Sequence, residues 1–124
     1  YLKASTVELF TSNPFVSRRN HRGLGFDKPD PDKGNGLACK GASVYSFGHL
    51  GFTGTMVWAD PKYDLLYVFL SNRVYPSIEN NKIVQMDLRQ QVQQVLYNAI
   101  VPGDYDTSNL LQQRIYDERK KQMR

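Results

Sequence analysis

Three residues in this chain carry side chains that commonly do chemistry near neutral pH: His21, Cys39 and His49. His49 has the surroundings of a site, in Ser46-Phe47-Gly48-His49-Leu50-Gly51-Phe52-Thr53-Gly54-Thr55, where three glycines and two threonines crowd ten positions. Glycine costs a strand backbone entropy and packs nothing, so its repetition points to close approach of another backbone or of a ligand. From spacing alone, His49 reads first as a strand histidine whose ring nitrogens meet backbone groups. His21 stands among Arg18, Arg19 and Arg22 and reads as a solvated loop residue. Cys39 has no second cysteine to pair with, and the three residues lack any close zinc-type spacing, so no structural metal is expected. Gly23 and Gly25 miss the third glycine and the following helix of a dinucleotide fingerprint, and no cofactor is expected.

The elements that must position His49 follow from periodicity. Over Ser46 to Asp60, Leu50, Phe52, Met56 and Trp58 share one parity, while His49, Gly51, Thr53, Thr55 and Val57 share the other. That is the alternation of a strand with one apolar face. Asp60 to Asp64 is turn chemistry, and Leu65 to Asn72 is apolar on both parities, as in a strand covered on both sides. A hairpin from Gly48 to Ser71 is therefore expected, with Trp58, Tyr63, Tyr67 and Phe69 in the core rather than lining a cleft. In Ser71-Asn72-Arg73, Asn72 and Arg73 are expected to tie the strand end to the loop before the last helix.

Upstream, Ser5 and Glu8 have capping-box spacing, which predicts a short helix over about Thr6 to Ser12 that Pro14 ends. Gly23 to Asp27 predicts a brief strand, and the Pro-, Gly-, Asp- and Lys-rich stretch from Lys28 to Ala42 predicts a surface loop. From near Asn81, the positions Val84, Leu88, Val92, Val95, Leu96 and Ala99 mark one face of a long helix that Pro102 and Gly103 stop. That stripe is expected to pack on the hairpin, with Arg89, Gln90, Gln93 and Gln94 on the opposite side. The fold class expected is α+β: an antiparallel sheet packed by a short N-terminal helix and a long C-terminal one.

The chain's 124 residues suffice for one domain. Its net charge of +4 is mild, and no aromatic residues interleave with the basic ones, so nucleic acid is not an expected partner. Part of the charge lies in Asp117-Glu118-Arg119-Lys120-Lys121-Gln122-Met123-Arg124, read as the end of a basic, solvated tail over 102–124. No apolar run approaches the ~18 residues of a membrane span, and the first residues do not have the pattern of a signal peptide. The chain starts at Tyr1 without methionine and reads straight into a helix, which suggests a piece of a longer polypeptide.

The glycine-rich strand with His49-Leu50-Gly51, followed by Asp64-Leu65-Leu66-Tyr67-Val68-Phe69-Leu70-Ser71-Asn72-Arg73-Val74-Tyr75-Pro76, resembles the C-terminal part of the serine β-lactamase and penicillin-binding-protein-like hydrolases. Within that family it is most similar to the class C β-lactamase, D-alanyl-D-alanine carboxypeptidase and esterase branch. The resemblance covers about residues 1–101. It implies a partial β-lactamase-like fold in a bacterial protein, in which His49 and Gly51 occupy the third family motif, K-T-G or H-T-G. In that motif the first residue stabilises the proton network around the nucleophile, and the glycine lets an acyl, ester or peptide substrate lie along the strand formed by Leu50 and Thr53. The backbone N–H of Phe52 would then be an oxyanion-hole donor. Leu50 replaces the family's threonine, which turns the expectation from β-lactams towards esters or atypical peptides.

The family's S-x-x-K and Tyr-x-Asn or Ser-x-Asn motifs do not occur in these residues, so this chain contains no nucleophile and is expected to be inert alone. Its partner would be the missing N-terminal part of the hydrolase domain, and an unpaired strand edge offers a route to dimerisation. The resemblance places such proteins in the periplasm or cell envelope. Two other readings stand beside it: a non-catalytic binding module that keeps the strand edge, and a small basic interaction domain.

Overall fold

A computed structural model describes residues 1–15 and 20–100 of the chain. The alternation after Ser46 folds into three strands where the sequence predicts two: β1 (Phe47–Leu50), β2 (Met56–Asp60) and β3 (Leu65–Phe69). They form an antiparallel sheet in the order β1-β2-β3. The expected hairpin from Gly48 to Ser71 is corrected at Gly51–Thr55, where the chain reverses. Gly51 N donates to Thr55 O at 2.9 Å and Gly54 N to Gly51 O at 3.0 Å, with Gly54 at φ +94°, a left-handed conformation that glycine adopts without strain. Leu50 pairs with Met56 across the turn, so both keep the same face, and parity survives a reversal it does not reveal.

The register Gly48↔Trp58↔Tyr67 and Leu50↔Met56↔Phe69 sets one face of the sheet inward. Met56 and Trp58 are fully buried and Tyr67 nearly so, joined by Ala38, Cys39, Ala42 and Tyr97, with Tyr63 and Phe69 packed against them. Of the four aromatic residues expected in the core, Trp58 and Tyr67 are buried in it, and Tyr63 and Phe69 are half-buried at its margin. The other face carries His49↔Val57↔Val68 and Phe47↔Ala59↔Leu66. Phe26 and Lys28 pack on Phe47 at one end of this face, but Val57, Leu66 and Val68 are 47%, 66% and 50% exposed, so the expectation that the strand from Leu65 is covered on both sides is corrected: β3 is open to solvent on one.

The expected strand over Gly23 to Asp27 reduces to single bridges, Arg22↔Asp27 and Asp27↔Gly48, the latter with Asp27 N to Gly48 O at 2.8 Å and Gly48 N to Asp27 O at 3.0 Å. The first helix is α1 (Ala4–Thr11), which places Ser5 inside it. Lys3 is the N-cap and no side chain caps the helix, so the capping box does not form.

The long helix is also corrected. It divides into α2 (Lys82–Gln85) and α3 (Leu88–Ile100), separated by Asp87 at φ +48°. The buried face of α3 is Arg89, Gln93 and Tyr97, at i, i+4 and i+8, whereas Val92, Val95, Leu96 and Ile100 of the apolar side are 37%, 65%, 39% and 47% exposed. What α3 meets explains the inversion. The stretch from Lys28 to Ala42 is no detached surface loop, because Lys28, Ala38, Cys39 and Ala42 are buried. Several of its amides pair within turns, as Ala38 N does with Asn35 O and Ala42 N with Cys39 O, while those of Cys39 and Gly41 find their acceptors on side chains of α3. Gln93 Oε1 accepts from Cys39 N at 2.9 Å and Gln94 Oε1 from Gly41 N at 2.9 Å. Tyr67 Oη donates to Arg89 O at 3.0 Å.

Asp60, 1% exposed at the end of β2, joins the three parts. Its carboxylate accepts from Ser43 N at 2.8 Å, Ser43 Oγ at 2.6 Å, Lys62 N at 3.1 Å and Tyr97 Oη at 2.7 Å. Among the described residues, no helix is long and apolar enough to cross a membrane. The tail expected over 102–124 lies outside the described residues.

Candidate functional site

His49 sits on the outer face of the sheet, with Val57 beside it across β1–β2 and Val68 one strand further. Its side chain is exposed, and Nδ1 lies 2.8 Å from Leu50 O. A carbonyl can only accept, so Nδ1 carries the proton of that bond and Nε2 is left as the ring's other functional nitrogen. The bland alternative, a histidine whose ring is consumed by backbone groups, is half right: one nitrogen is engaged in this way.

The glycines around His49 are explained by the chain itself. A side chain at Gly48 would strike Val57 O and the Trp58 ring, which lies against the strand at that point. One at Gly51 would strike Thr55 Oγ1 across the turn. The close approach that glycine repetition signals is therefore made here by neighbouring protein atoms.

Phe52 and Thr53 belong to the turn, since β1 ends at Leu50. Phe52 is 65% exposed; its carbonyl accepts from Arg73 Nε at 2.8 Å and its ring lies 4.8 Å from the Arg73 guanidinium carbon. Thr53 O accepts from Arg73 N at 2.9 Å and Ser71 Oγ at 3.2 Å. Of the strand expected to receive an extended substrate, Gly48 is already paired with Asp27, and the backbone groups that next point away from β2 are those of Leu50, just before the turn.

Arg73 is the residue that fixes this turn. Besides Phe52 and Thr53 it reaches Ile78 O (3.3 Å), Asn80 O (3.2 Å) and Asn81 Oδ1 (3.1 Å), and so ties the β1–β2 turn to the segment leading into α2. Of the two residues expected to tie the strand end to the loop before the last helix, Asn72 and Arg73, it is Arg73 whose bonds reach that loop, and they do so from the β1–β2 turn. An open cavity of about 290 Å³ adjoins it, with Asn72, Arg73, Asn80 and Lys82 among its walls.

His21 was expected in solvent and is not there. Its side chain is 7% exposed, with Nε2 at 3.4 Å from Asp30 Oδ1 and 3.5 Å from Asp32 Oδ2. Asp30 and Asp32 flank the first residue of a short 3-10 turn, Pro31–Lys33, where Asp30 is the N-cap and accepts from Asp32 N at 3.1 Å. These three residues form the group of possible metal ligands found among the described residues, with all donor atoms within 4.8 Å of one another. Their sequence separation, nine residues and then two, has none of the close spacing that identifies zinc sites in a sequence. Cys39 lies apart from them, buried and free, and burial pushes its thiol pKa up to about 11.

Comparison with family models, with curated proteins and with solved structures returns no match to this chain.

Proposed function

We propose that this chain is the C-terminal segment of a bacterial β-lactamase-related serine hydrolase, in which it supplies one wall of an acyl-transfer site. The observation that carries the reading is the position of His49: an exposed imidazole with one nitrogen held by Leu50 O, standing on a sheet face where Val57, Leu66 and Val68 are open to solvent. Exposed apolar area of this kind marks a surface that another part of a protein buries. A covering N-terminal part that brought Ser and Lys of an S-x-x-K motif to the same face would place a nucleophile and its base beside Nε2. His49 then stabilises the proton network, Gly51 keeps the strand end free of a side chain, and Phe52 N–H is the candidate oxyanion donor. The substrate class is a small ester, amide or peptide, and the site of action is the periplasm or cell envelope. A second reading, a non-catalytic binding module, draws on the internal explanation of the glycines: Gly48 and Gly51 are needed by Trp58 and Thr55 whether or not a substrate binds.

The test is the intact mass and N-terminal sequence of the natural gene product, followed by labelling with a fluorophosphonate probe and assay on p-nitrophenyl butyrate. A product that extends upstream through S-x-x-K and Tyr-x-Asn, takes the label and hydrolyses the ester supports the hydrolase. In it, His49→Gln lowers kcat by about 100-fold, the scale of a lost proton-network residue. A natural product without an upstream S-x-x-K overturns the hydrolase reading and leaves the binding module.

A further inference from the structure

We propose that His21, Asp30 and Asp32 bind a divalent first-row transition-metal ion of the zinc type. Zinc is held by imidazole nitrogen and carboxylate oxygen at about 2.0–2.2 Å, and two ligands at a tetrahedral angle are then about 3.3–3.5 Å apart. His21 Nε2 meets that separation with both carboxylates, 3.4 Å to Asp30 Oδ1 and 3.5 Å to Asp32 Oδ2. One nitrogen thus faces two oxygens from different residues at the distances of a shared ion.

The environment fits a cation as well. Two carboxyl groups converge on one imidazole, and the His21 and Asp30 side chains are only 7% and 13% exposed, so two of the donors are largely withdrawn from water. Lys33 approaches Asp30 through the other oxygen, Oδ2, at 3.9 Å, and its side chain is 80% exposed, a weak neutralisation, while Oδ1 faces His21 and keeps a lone pair beside the one that accepts from Asp32 N at 3.1 Å. Asp32, 64% exposed, gives the ion its path from solvent and leaves a water as the natural fourth ligand. A donor set of one imidazole and two carboxylates suits zinc and its divalent neighbours and disfavours copper(I) and iron–sulfur centres, which want thiolate.

The ion's work here is to clip the chain. It joins the segment at His21 to the loop that goes on to bury Ala38, Cys39 and Ala42, a part of the core held by turns and side-chain acceptors rather than by a sheet ladder. An ion that binds the folded chain alone raises its melting temperature. The site is separate from His49, so its failure leaves the hydrolase reading standing, and the failure of that reading leaves this one.

The test uses the 124-residue chain, stripped with chelator, titrated with zinc in competition with a chromogenic chelator and followed in parallel by thermal unfolding. Expected are one equivalent bound, a rise in Tm with zinc, and visible absorption bands when cobalt(II) replaces it. Asp32→Asn, at an exposed position, keeps the metal-free Tm and loses at least about 10-fold in zinc affinity together with the Tm rise. His21→Gln loses the cobalt bands. No zinc binding by the wild-type chain, equal binding by Asp32→Asn, or loss of binding on His49→Gln overturns the proposal.

Discussion

Asp60 shows how much of this fold hangs on single polar atoms. One carboxylate receives four donors, Lys62 N of the turn after β2 at the part-buried edge and Ser43 N, Ser43 Oγ and Tyr97 Oη of α3 in positions closed to water. Asp60→Ala leaves those donors buried without an acceptor and is expected to cost about 3 kcal/mol or more, read as a fall in the urea midpoint by circular dichroism. An unchanged midpoint would mean that water replaces the carboxylate and that Asp60 is not the joint. Two other buried groups make stability depend on pH in opposite directions. Burial lowers the Lys28 pKa from 10.5 to about 8, opposed in part by the charge of Asp60, and burial raises that of Cys39 from 9.0 to about 11. Between about 8 and 10.5 the unfolded chain holds the Lys28 proton more tightly, so this residue makes stability rise with pH. Between 9 and about 11 the folded chain holds the Cys39 proton more tightly, which makes stability fall. Each slope is at most about 1.4 kcal/mol per pH unit. Lys28→Met is expected to abolish the rise and expose the fall above pH 9, seen in urea midpoints across that range; a variant that still gains stability there assigns the rise to another group. By the same burial, Cys39 should react with a thiol reagent only in urea.

At the scale of elements, α3 is the one whose behaviour runs against hydrophobicity. Gln93 is fully buried, with Oε1 on Cys39 N, while Val95 is 65% exposed. Gln93→Leu therefore makes the helix more apolar and is expected to destabilise the fold by about 1–3 kcal/mol, because Cys39 N loses its acceptor. Val95→Gln is expected to change stability by no more than about 0.5 kcal/mol. Denaturant unfolding of the two variants decides between the faces: the reverse order would put the apolar stripe against the sheet. The same contrast explains what could be read in advance. The period-2 pattern around Trp58 and Tyr67 identified the core because both strands bury large apolar side chains, and the α+β class followed from it. The reversal at Gly51 was hidden because Leu50 and Met56 share a parity with or without a turn. The polar packing of α3 was hidden because it answers to loop amides at Cys39 and Gly41, which no periodicity in residues 82–100 records. The glycines that single out His49 in the sequence have their structural partners in Trp58 and Thr55. The His21 cluster was not, since its residues meet through a loop rather than through close spacing.

For the molecule as a whole, the balance between covered and uncovered apolar surface is the property that separates a segment of a larger domain from a small independent one. The inner face of the sheet is sealed by Trp58, Met56 and Tyr67, but the outer face presents Val57, Leu66 and Val68 to water, and α3 presents Val95 and Ile100. β3 pairs with β2 along one side, and no partner strand lies along its other side among the described residues. A three-stranded sheet with an apolar face and an unpaired edge is a template for association. The 124-residue chain is therefore expected to associate as its concentration rises, measured by sedimentation velocity at two concentrations. Leu66 and Val68 point the predictions to one surface: Leu66→Lys should reduce that association while leaving Tm nearly unchanged, since its side chain is 66% exposed and supports no buried contact that the substitution would break. If association persists in Leu66→Lys but falls with Val95→Lys, the sticky surface is the helix and not the sheet. If the wild-type chain stays monomeric throughout, the apolar face is tolerated in water, and the case for a covering N-terminal part loses its main physical support.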